Sequence, residues 1–304
     1  MSYKSKVGVA IPTYNRESYL RILLNSIPSN IDVVISDNGS YCTTEFKEEF
    51  GNRKFIGSDL VVDVIKNWNN AVTNLDTEWI CVASDDDIFF ANAFDLFDKY
   101  SNQNPDAEVI IFGHTNIDEH GKAINSWKID ELKILEAPNG YNVFRFGVDA
   151  RVIGVFFKKD LYNQIGKFDE AYKVTASDSD FIQLALLKGK SIIVPEISVG
   201  YRVWEKSMTG QLIATKQWID EVIYWQSKIA KELKSQNFNE REIRRNTNEV
   251  IALNLKEALF SLRKQNKNLL TALKFLQQFP YPKYATIRTQ LSIIKCLLKV
   301  FLKS

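Results

Sequence analysis

Apolar residues fall into short runs separated by polar clusters, and the spacing within each run separates strand from helix. Val7–Ile11 is apolar and rich in β-branched residues, and Pro12 closes it, so a buried strand is predicted. Glu17–Ile27 carries Leu20, Leu23, Leu24 and Ile27 at helical spacing. Ile31–Ser36 predicts a second strand ending at the turn Asp37-Asn38-Gly39-Ser40. Thr44–Phe50 predicts a short helix and Val61–Asn74 a longer one. Trp79–Ala83 predicts a strand that runs into Ser84-Asp85-Asp86-Asp87, followed by a helix over Ala91–Tyr100 and a strand over Val109–Phe112. This alternation implies an α/β class: a mostly parallel sheet flanked by crossover helices.

The middle is less regular. Asp118-Glu119-His120-Gly121 predicts a hairpin turn, Val152–Phe157 a strand and Lys159–Ile165 a short helix. Phe181–Lys188 predicts a helix closed by Gly189, and Ser191–Val194 a strand. Beyond residue 205 the alternation stops. Thr215–Leu233, Glu240–Gln265, Leu269–Phe279 and Ala285–Leu302 predict helices, the second with a stripe of Ile243, Val250, Ile251, Leu255, Ala258 and Leu262. The expected division is an α/β domain over residues 1–205 and a helical region over 206–304.

With 45% apolar and 25% charged residues, the chain buries a core and is not mainly disordered. Cys42, Cys81 and Cys296 are odd in number and far apart, which argues for a reducing compartment. His114 and His120 are the only histidines, and their place at a hairpin makes both structural. That disfavours a His-based metal centre or a Ser-His-Asp hydrolase. Neither a signal-peptide core nor a membrane span is visible, so a cytoplasmic protein is expected.

The net charge of +2 conceals an asymmetry. From Ala258 to Ser304 there are nine Lys/Arg and no Asp/Glu, leaving 30 basic against 37 acidic residues elsewhere. Within Ala285–Leu302, Ile287, Leu291, Ile294, Leu298 and Phe301 fall on one helical face; Arg288, Lys295, Lys299 and Lys303 fall on another. A basic amphipathic helix suits an anionic membrane surface, peripheral on the inner face. The alternative is a helix packed on the protein body with its lysines in solvent.

Ligands of open α/β sheets bind beyond the carboxyl ends of the strands. Thr13-Tyr14-Asn15-Arg16, Asp37-Asn38 and Asp85-Asp86-Asp87 stand at such ends, although each alone also suits a turn or a cap. The clustered carboxylates repel one another, and a hard divalent cation, Mn²⁺ or Mg²⁺, relieves that repulsion while bridging to phosphates. The chain has no G-x-x-x-x-G-K-[ST] and no G-x-G-x-x-G, the usual signatures of ATP hydrolysis and dinucleotide redox chemistry. A metal-bridged diphosphate held without a Gly-rich loop fits a nucleotide-sugar.

VGVAIPTYNR, DVVISDNGS and EWICVASDDDIF, in that order and spacing, resemble the inverting glycosyltransferases of family 2, of the bacterial surface-polysaccharide type, with their GT-A fold. IGKFDE and ASDSDFIQLALLKG are similar to the acceptor-side motif of that family, so the resemblance covers about the first 200 residues. It implies transfer from a nucleotide-diphosphate sugar, a UDP-sugar foremost, to a hydroxyl of a glycan or lipid-linked glycan, with Mn²⁺ or Mg²⁺ as cofactor and no nucleic acid partner.

By position, the resemblance places Pro12, Thr13, Tyr14, Asp37 and Asn38 in the base-and-ribose pocket; many relatives have Asp where Asn38 stands. Asn67, within Lys66-Asn67-Trp68-Asn69-Asn70, flanks the nucleotide. The D-x-D metal motif aligns with Ser84-Asp85-Asp86. Asp86 is then the metal ligand and Asp85 lies toward the ribose, with Asp87 able to share either role. The base of the E-D-x-[DE] motif falls on Asp178, with Ser177 replacing Glu and Asp180 as the fallback; a helix cap near Ser179 is the structural alternative. Tyr201-Arg202-Val203-Trp204 resembles a closing element in which relatives often carry His. Trp204 cannot ligate a metal there, whereas Arg202 can pair with phosphate. Two other classes remain. A nucleotidyltransferase needs a Gly-rich basic loop after the first strand, and Pro12–Arg16 has no Gly. An inactive sugar-binding scaffold is suggested by Ser84 and Ser177.

Overall fold

Val7–Thr13 (β1) is buried at all seven positions, as a strand covered on both faces must be. It belongs to a 10-stranded sheet in the computed structural model, which describes residues 6–204 and 208–301. Helix α1 (Glu17–Asn25) leads to β2 (Asp32–Asn38), α2 (Thr44–Glu49) to β3 (Lys54–Ser58), and α3 (Val64–Thr73) to β4 (Trp79–Val82). These four strands lie in the order β3-β2-β1-β4, all parallel.

Next come β5 (Ile88–Phe89), α4 (Ala93–Gln103) and a hairpin of β6 (Val109–Ile117) with β7 (Ala123–Trp127). They are followed by β8 (Lys133–Leu135), β9 (Val155–Lys158), α5 (Lys159–Ile165), α6 (Ser177–Lys188) and β10 (Ser191–Arg202). The sheet continues from β4 through β9, β6 and β10 to β5. Because β9 is antiparallel to both β4 and β6, while β6 and β10 are parallel, six strands share one direction. The class is therefore α/β with a GT-A-type sheet flanked by helices.

Successive residues of a strand face opposite sides, and β9 shows it. Phe156 stacks on Phe97 of α4 at 4.9 Å, beside Trp79 and Phe112. Phe157 packs instead on Phe181 of α6 at 4.7 Å, with Tyr162 and Phe168 around it. Leu20, Leu23 and Leu24 of α1 join the first of these layers.

Several elements differ from the sequence expectation. Pro12 lies inside β1 rather than ending it. Pairing with β4 stops at Ala10–Val82, so a missing N–H beyond that point costs no ladder bond on that side. The edge strand β3 is unannounced because only Phe55 and Ile56 are large and apolar. Val152–Gly154 forms a 3₁₀ turn before β9. Helix α6 begins at Ser177, which puts Asp178 in its first turn. The turn at Asp118–Gly121 forms as expected, with the Gly121 N–H donating to the Asp118 carbonyl at 3.0 Å.

The chain divides into two units. The first holds the sheet. The second comprises residues from 205 onward with Phe144–Gly147 and Val174–Asp180. The boundary expected at 205/206 falls outside the described residues. The second unit contains α7 (Met208–Leu212), α8 (Lys216–Ser235), α9 (Glu240–Lys264), α10 (Leu269–Leu276) and α11 (Ile287–Phe301). Thr215, Asn239 and Asn268 cap α8, α9 and α10, accepting from the N–H groups of Trp218, Arg241 and Glu242, and Thr271. Buried carboxylates draw in the segment Val174–Asp180. Glu221 of α8 accepts from the N–H groups of Val174 and Thr175 at 3.0 and 2.9 Å, and Asp180 pairs with Lys228 at 2.5 Å. In the segment Phe144–Gly147, Phe146 lies under the Arg245 guanidinium.

His114 of β6 is buried with its ring stacked on Trp127. Burial, then the charge of Arg151, lower its pKa from 6.5 to about 4. The folded protein thus keeps His114 neutral where the unfolded chain protonates it. Stability present above pH 6.5 is lost as the pH falls toward about 4. Urea titrations across that range should show a steeper acid loss for the wild type than for His114→Gln, by on the order of 3 kcal/mol in total. Equal slopes would refute this role for His114.

Candidate active site

β2 and β3 lie on one side of β1 and β4 on the other, so strand order reverses between β1 and β4. A crevice opens at the carboxyl ends of strands at such a point. Two polar segments meet there: Thr13–Arg16 after β1 and Ser84–Asp87 after β4. Asn15 adopts a left-handed conformation, φ 52°, which Asn tolerates better than most residues. The chain turns there, and Arg16 comes back onto the carboxylates.

Asp85 is buried and surrounded by donors. It accepts from Thr13 Oγ1 at 2.8 Å and from the Tyr14 N–H at 3.4 Å, and Arg16 Nη1 lies 3.2 Å away. The same guanidinium nitrogen reaches Asp86 Oδ2 at 3.2 Å. Burial pushes the Asp85 carboxyl up to about 6. Arg16 opposes that shift, the Asp86 charge adds to it, and the bonds from Thr13 and Tyr14 hold it down. Asp86 also accepts from Trp204 Nε1 at 3.1 Å, and the Arg16 guanidinium lies over the Trp204 ring at 5.3 Å.

Asp87 does not share this position. It is buried, with Oδ1 accepting the Arg202 N–H at 2.8 Å, and burial pushes its pKa well up. Through Oδ1 it ties β10 to the loop after β4, and its Oδ2 is buried with no hydrogen-bond partner among the described residues. Arg202 differs from expectation for a related reason. Its Nε donates to the Asp86 carbonyl at 2.6 Å, and its Nη1 to the carbonyls of Asp118 and Glu119 at 2.8 and 2.9 Å. These bonds make it a clamp between loops rather than a phosphate ligand.

The expected nucleotide residues cluster at the ends of β1, β2 and β4, but most face inward. Pro12 and Thr13 are buried. Asp37 is buried, accepting from the N–H groups of Tyr41 and Cys42 at 2.9 and 3.0 Å, with Lys47 Nζ at 3.2 Å. Asn38 pairs twice with the Val62 backbone, at 2.9 and 2.8 Å. Asn67 accepts from Ser36 Oγ at 2.7 Å and donates to the carbonyls of Ser36 and Thr13 at 3.2 and 3.4 Å, fastening α3 to β1 and β2. Tyr14 is exposed, its ring edge-on to the equally exposed Tyr41 at 5.1 Å. Leu60 and Val61 are exposed in the loop that Asn38 holds. Tyr41 and the Arg16 pairing were not foreseen; the Tyr after the Asn-Gly-Ser turn and the Arg closing Thr-Tyr-Asn-Arg were the available signals.

Among the described residues, no three His, Cys, Asp or Glu side chains converge as a metal cage. Mg²⁺ and Mn²⁺ do not require one, since such ions take one or two carboxylates and complete their shell with phosphate and water. Asp85 and Asp86 each bring an oxygen to within 3.2 Å of one cationic nitrogen, so the donor set suits a hard cation in Arg16's place.

Asp178 and Asp180 lie in the second unit. Asp178 is half-buried, and its Oδ1 accepts the Ser179 N–H at 2.7 Å. Asp180 is buried against Lys228. Ala176, just before α6, is left-handed at φ 64°, a strained state for a residue with a Cβ. Glu221 anchors the segment before it.

Residues 8–153 match the family described as glycosyl transferase family 2. An uncharacterized glycosyltransferase of Mycoplasma genitalium is 25% identical over 230 residues, 66% of this chain and 70% of that protein. One from Rickettsia typhi is 25% identical over 198 residues, 57% of each. The 1–349 portion of S. aureus TarS in complex with UDP-GlcNAc superposes with a TM-score of 0.66 at 16% identity, covering 97% of this chain and 89% of that one. A mannosyltransferase from Pyrobaculum calidifontis in complex with GDP-Man and Mn²⁺ gives 0.55 at 16%, covering 98% and 87%. These superpositions show a GT-A fold. Over residues 8–153 the chain carries a domain that matches glycosyl transferase family 2, and that match, with the curated relatives, supports a glycosyltransferase.

Asn67→Ala strands the Ser36 hydroxyl and leaves two strand-end carbonyls without that donor. Urea unfolding should show a loss of about 1–3 kcal/mol; an unchanged midpoint would mean the fastening is dispensable.

Proposed function

We propose that the protein moves a sugar from a UDP-sugar to a hydroxyl of a glycan or lipid-linked glycan, with inversion, in surface polysaccharide synthesis on the cytoplasmic side of the membrane. The observation that carries this reading is the convergence of Asp85 and Asp86 on one point at the β1/β4 crevice, beside the exposed rings of Tyr14 and Tyr41. That S. aureus TarS has been solved with UDP and with UDP-GlcNAc supports the donor class. The Mn²⁺ and GDP-Man of the Pyrobaculum mannosyltransferase support a divalent cation beside a nucleotide-sugar.

Each residue then has a task. Tyr14 offers its face to the base. Pro12, Thr13, Asp37, Asn38 and Asn67 hold the three strand ends that frame it. Asp85 lies toward the ribose, fixed by Thr13. Asp86, with Asp85 beside it, would hold Mn²⁺ or Mg²⁺. A cation there supplies Lewis-acid stabilisation of the departing diphosphate.

Inversion at the sugar C1 requires a single displacement, with the acceptor hydroxyl attacking opposite the leaving diphosphate. We assign the base to Asp178, which takes the hydroxyl proton on its carboxylate. Its accessibility supports this choice over Asp180, whose carboxylate is buried on Lys228. The anchoring of Val174 and Thr175 by Glu221 keeps the Asp178 segment in a fixed conformation.

Asp86→Ala should abolish transfer and lower UDP affinity in Mn²⁺ by ~10-fold or more, with affinity in EDTA nearly unchanged by calorimetry. Wild-type affinity in Mn²⁺ would remove Asp86 from the metal site. Asp178→Asn should lower kcat by ~10²-fold or more while the donor KM holds. If Asp180→Asn is dead and Asp178→Asn is active, the two roles are exchanged.

A further inference from the structure

Helix α11 uses two faces, and the apolar stripe seen in the sequence is not the packed one. The packed face mixes Thr289 with Ile293 and the half-buried Cys296 and Leu297. Buried Glu249 of α9 accepts the Thr286 N–H at 2.6 Å, the Thr286 hydroxyl at 3.1 Å and the Thr289 hydroxyl, with Ile293 buried one turn further on. The stripe itself points outward: Ile287, Leu291, Ile294 and Leu298 are 77, 59, 49 and 57% exposed. At ~100° per residue these four fall within a sector of about 60°, on the side away from Thr289 and Ile293.

Other large apolar side chains of this region are exposed as well, and the Tyr281 hydroxyl donates to Gln290 of α11 at 2.8 Å. Leu270 and Leu273 of α10, which packs on α11, are exposed, as are Tyr281 and Tyr284 in the connection. Arg288, Lys295 and Lys299 are exposed and line one edge of the stripe, about 90° from its centre. Lys303 and the Phe301 side chain, part of the same sequence pattern, lie outside the described residues. No Asp or Glu occurs from Ala258 to Ser304.

We propose that this face of α10 and α11 docks the protein on an anionic lipid membrane. An apolar stripe bordered by cations on a helix lying flat is the arrangement that enters a headgroup layer. Tyrosines at its edge suit the same boundary, with an apolar ring and a polar tip. Among the described residues no helix is long and apolar enough to cross a membrane, so α11 lies on the surface. Charge decides against a second copy of the chain. A two-fold interface pairs a patch with itself, which would set Arg288, Lys295 and Lys299 against their own counterparts with no acid to offset them. The location agrees with the lipid-linked acceptor of the proposed reaction, but the docking itself rests only on this face.

The test is flotation of the full chain with phosphatidylcholine vesicles, with and without phosphatidylglycerol. Binding should require phosphatidylglycerol and weaken as salt rises, since screening acts over only ~8 Å at physiological ionic strength. Lys295→Gln/Lys299→Gln should lower binding by roughly fivefold for each charge lost. Leu291→Ser/Leu298→Ser should abolish it. Both pairs are exposed, so circular dichroism and melting should match the wild type, and transfer to a soluble acceptor analogue should persist. Failure of the wild type to bind anionic vesicles, or binding indifferent to both variants, overturns the docking surface. A wild-type dimer that Leu291→Ser/Leu298→Ser dissolves assigns the face to a second copy instead. Vesicle binding without transfer on any acceptor overturns the reaction and leaves the surface standing.

Discussion

A carboxylate taken out of water has to be met by donors, and the first unit is arranged around Asp85. Its oxygens are reached by the Thr13 hydroxyl, the Tyr14 N–H and the Arg16 guanidinium, all from the segment that leaves β1. Those bonds draw the ends of β1 and β4 together at the point where strand order reverses. The same demand falls on Asp86 and Asp87, answered by Arg16, Trp204 and the Arg202 backbone. Three adjacent acids thus bind three different parts of the chain: the β1 loop, the residues after β10, and β10 itself.

Desolvation gives this cluster its latent chemistry. Burial already pushes Asp85 up to about 6 with Arg16 present. The charged pair is therefore held at a desolvation cost. Arg16 answers that cost with a positive charge shared between Asp85 and Asp86.

Buried acids organise the second unit in the same manner. Glu221 gathers the backbone before α6, Asp180 pairs with Lys228, and Glu249 gathers the start of α11. Each spends its carboxylate on positioning a segment whose other side carries the features of interest: Asp178 in one case, the exposed stripe of α11 in another.

The sequence by itself determined the α/β class, the helical region after residue 205 and the three polar clusters at strand ends. Local periodicity and turn chemistry are enough for those. It also marked Asp85 and Asp86, because adjacent acids after a buried strand are unusual. Tertiary structure alone decided which cluster residues face one another. Thr13 and Asp85 are 72 positions apart, and Asp87 and Arg202 are 115 apart; no local rule couples such pairs. It decided the reversed direction of β9, since a short apolar run carries no sign of orientation. It decided, too, that the α11 stripe points outward: the start of the helix is fastened to Glu249 through Thr286 and Thr289, with Ile293 buried beyond them, and periodicity of apolar residues cannot register a polar contact.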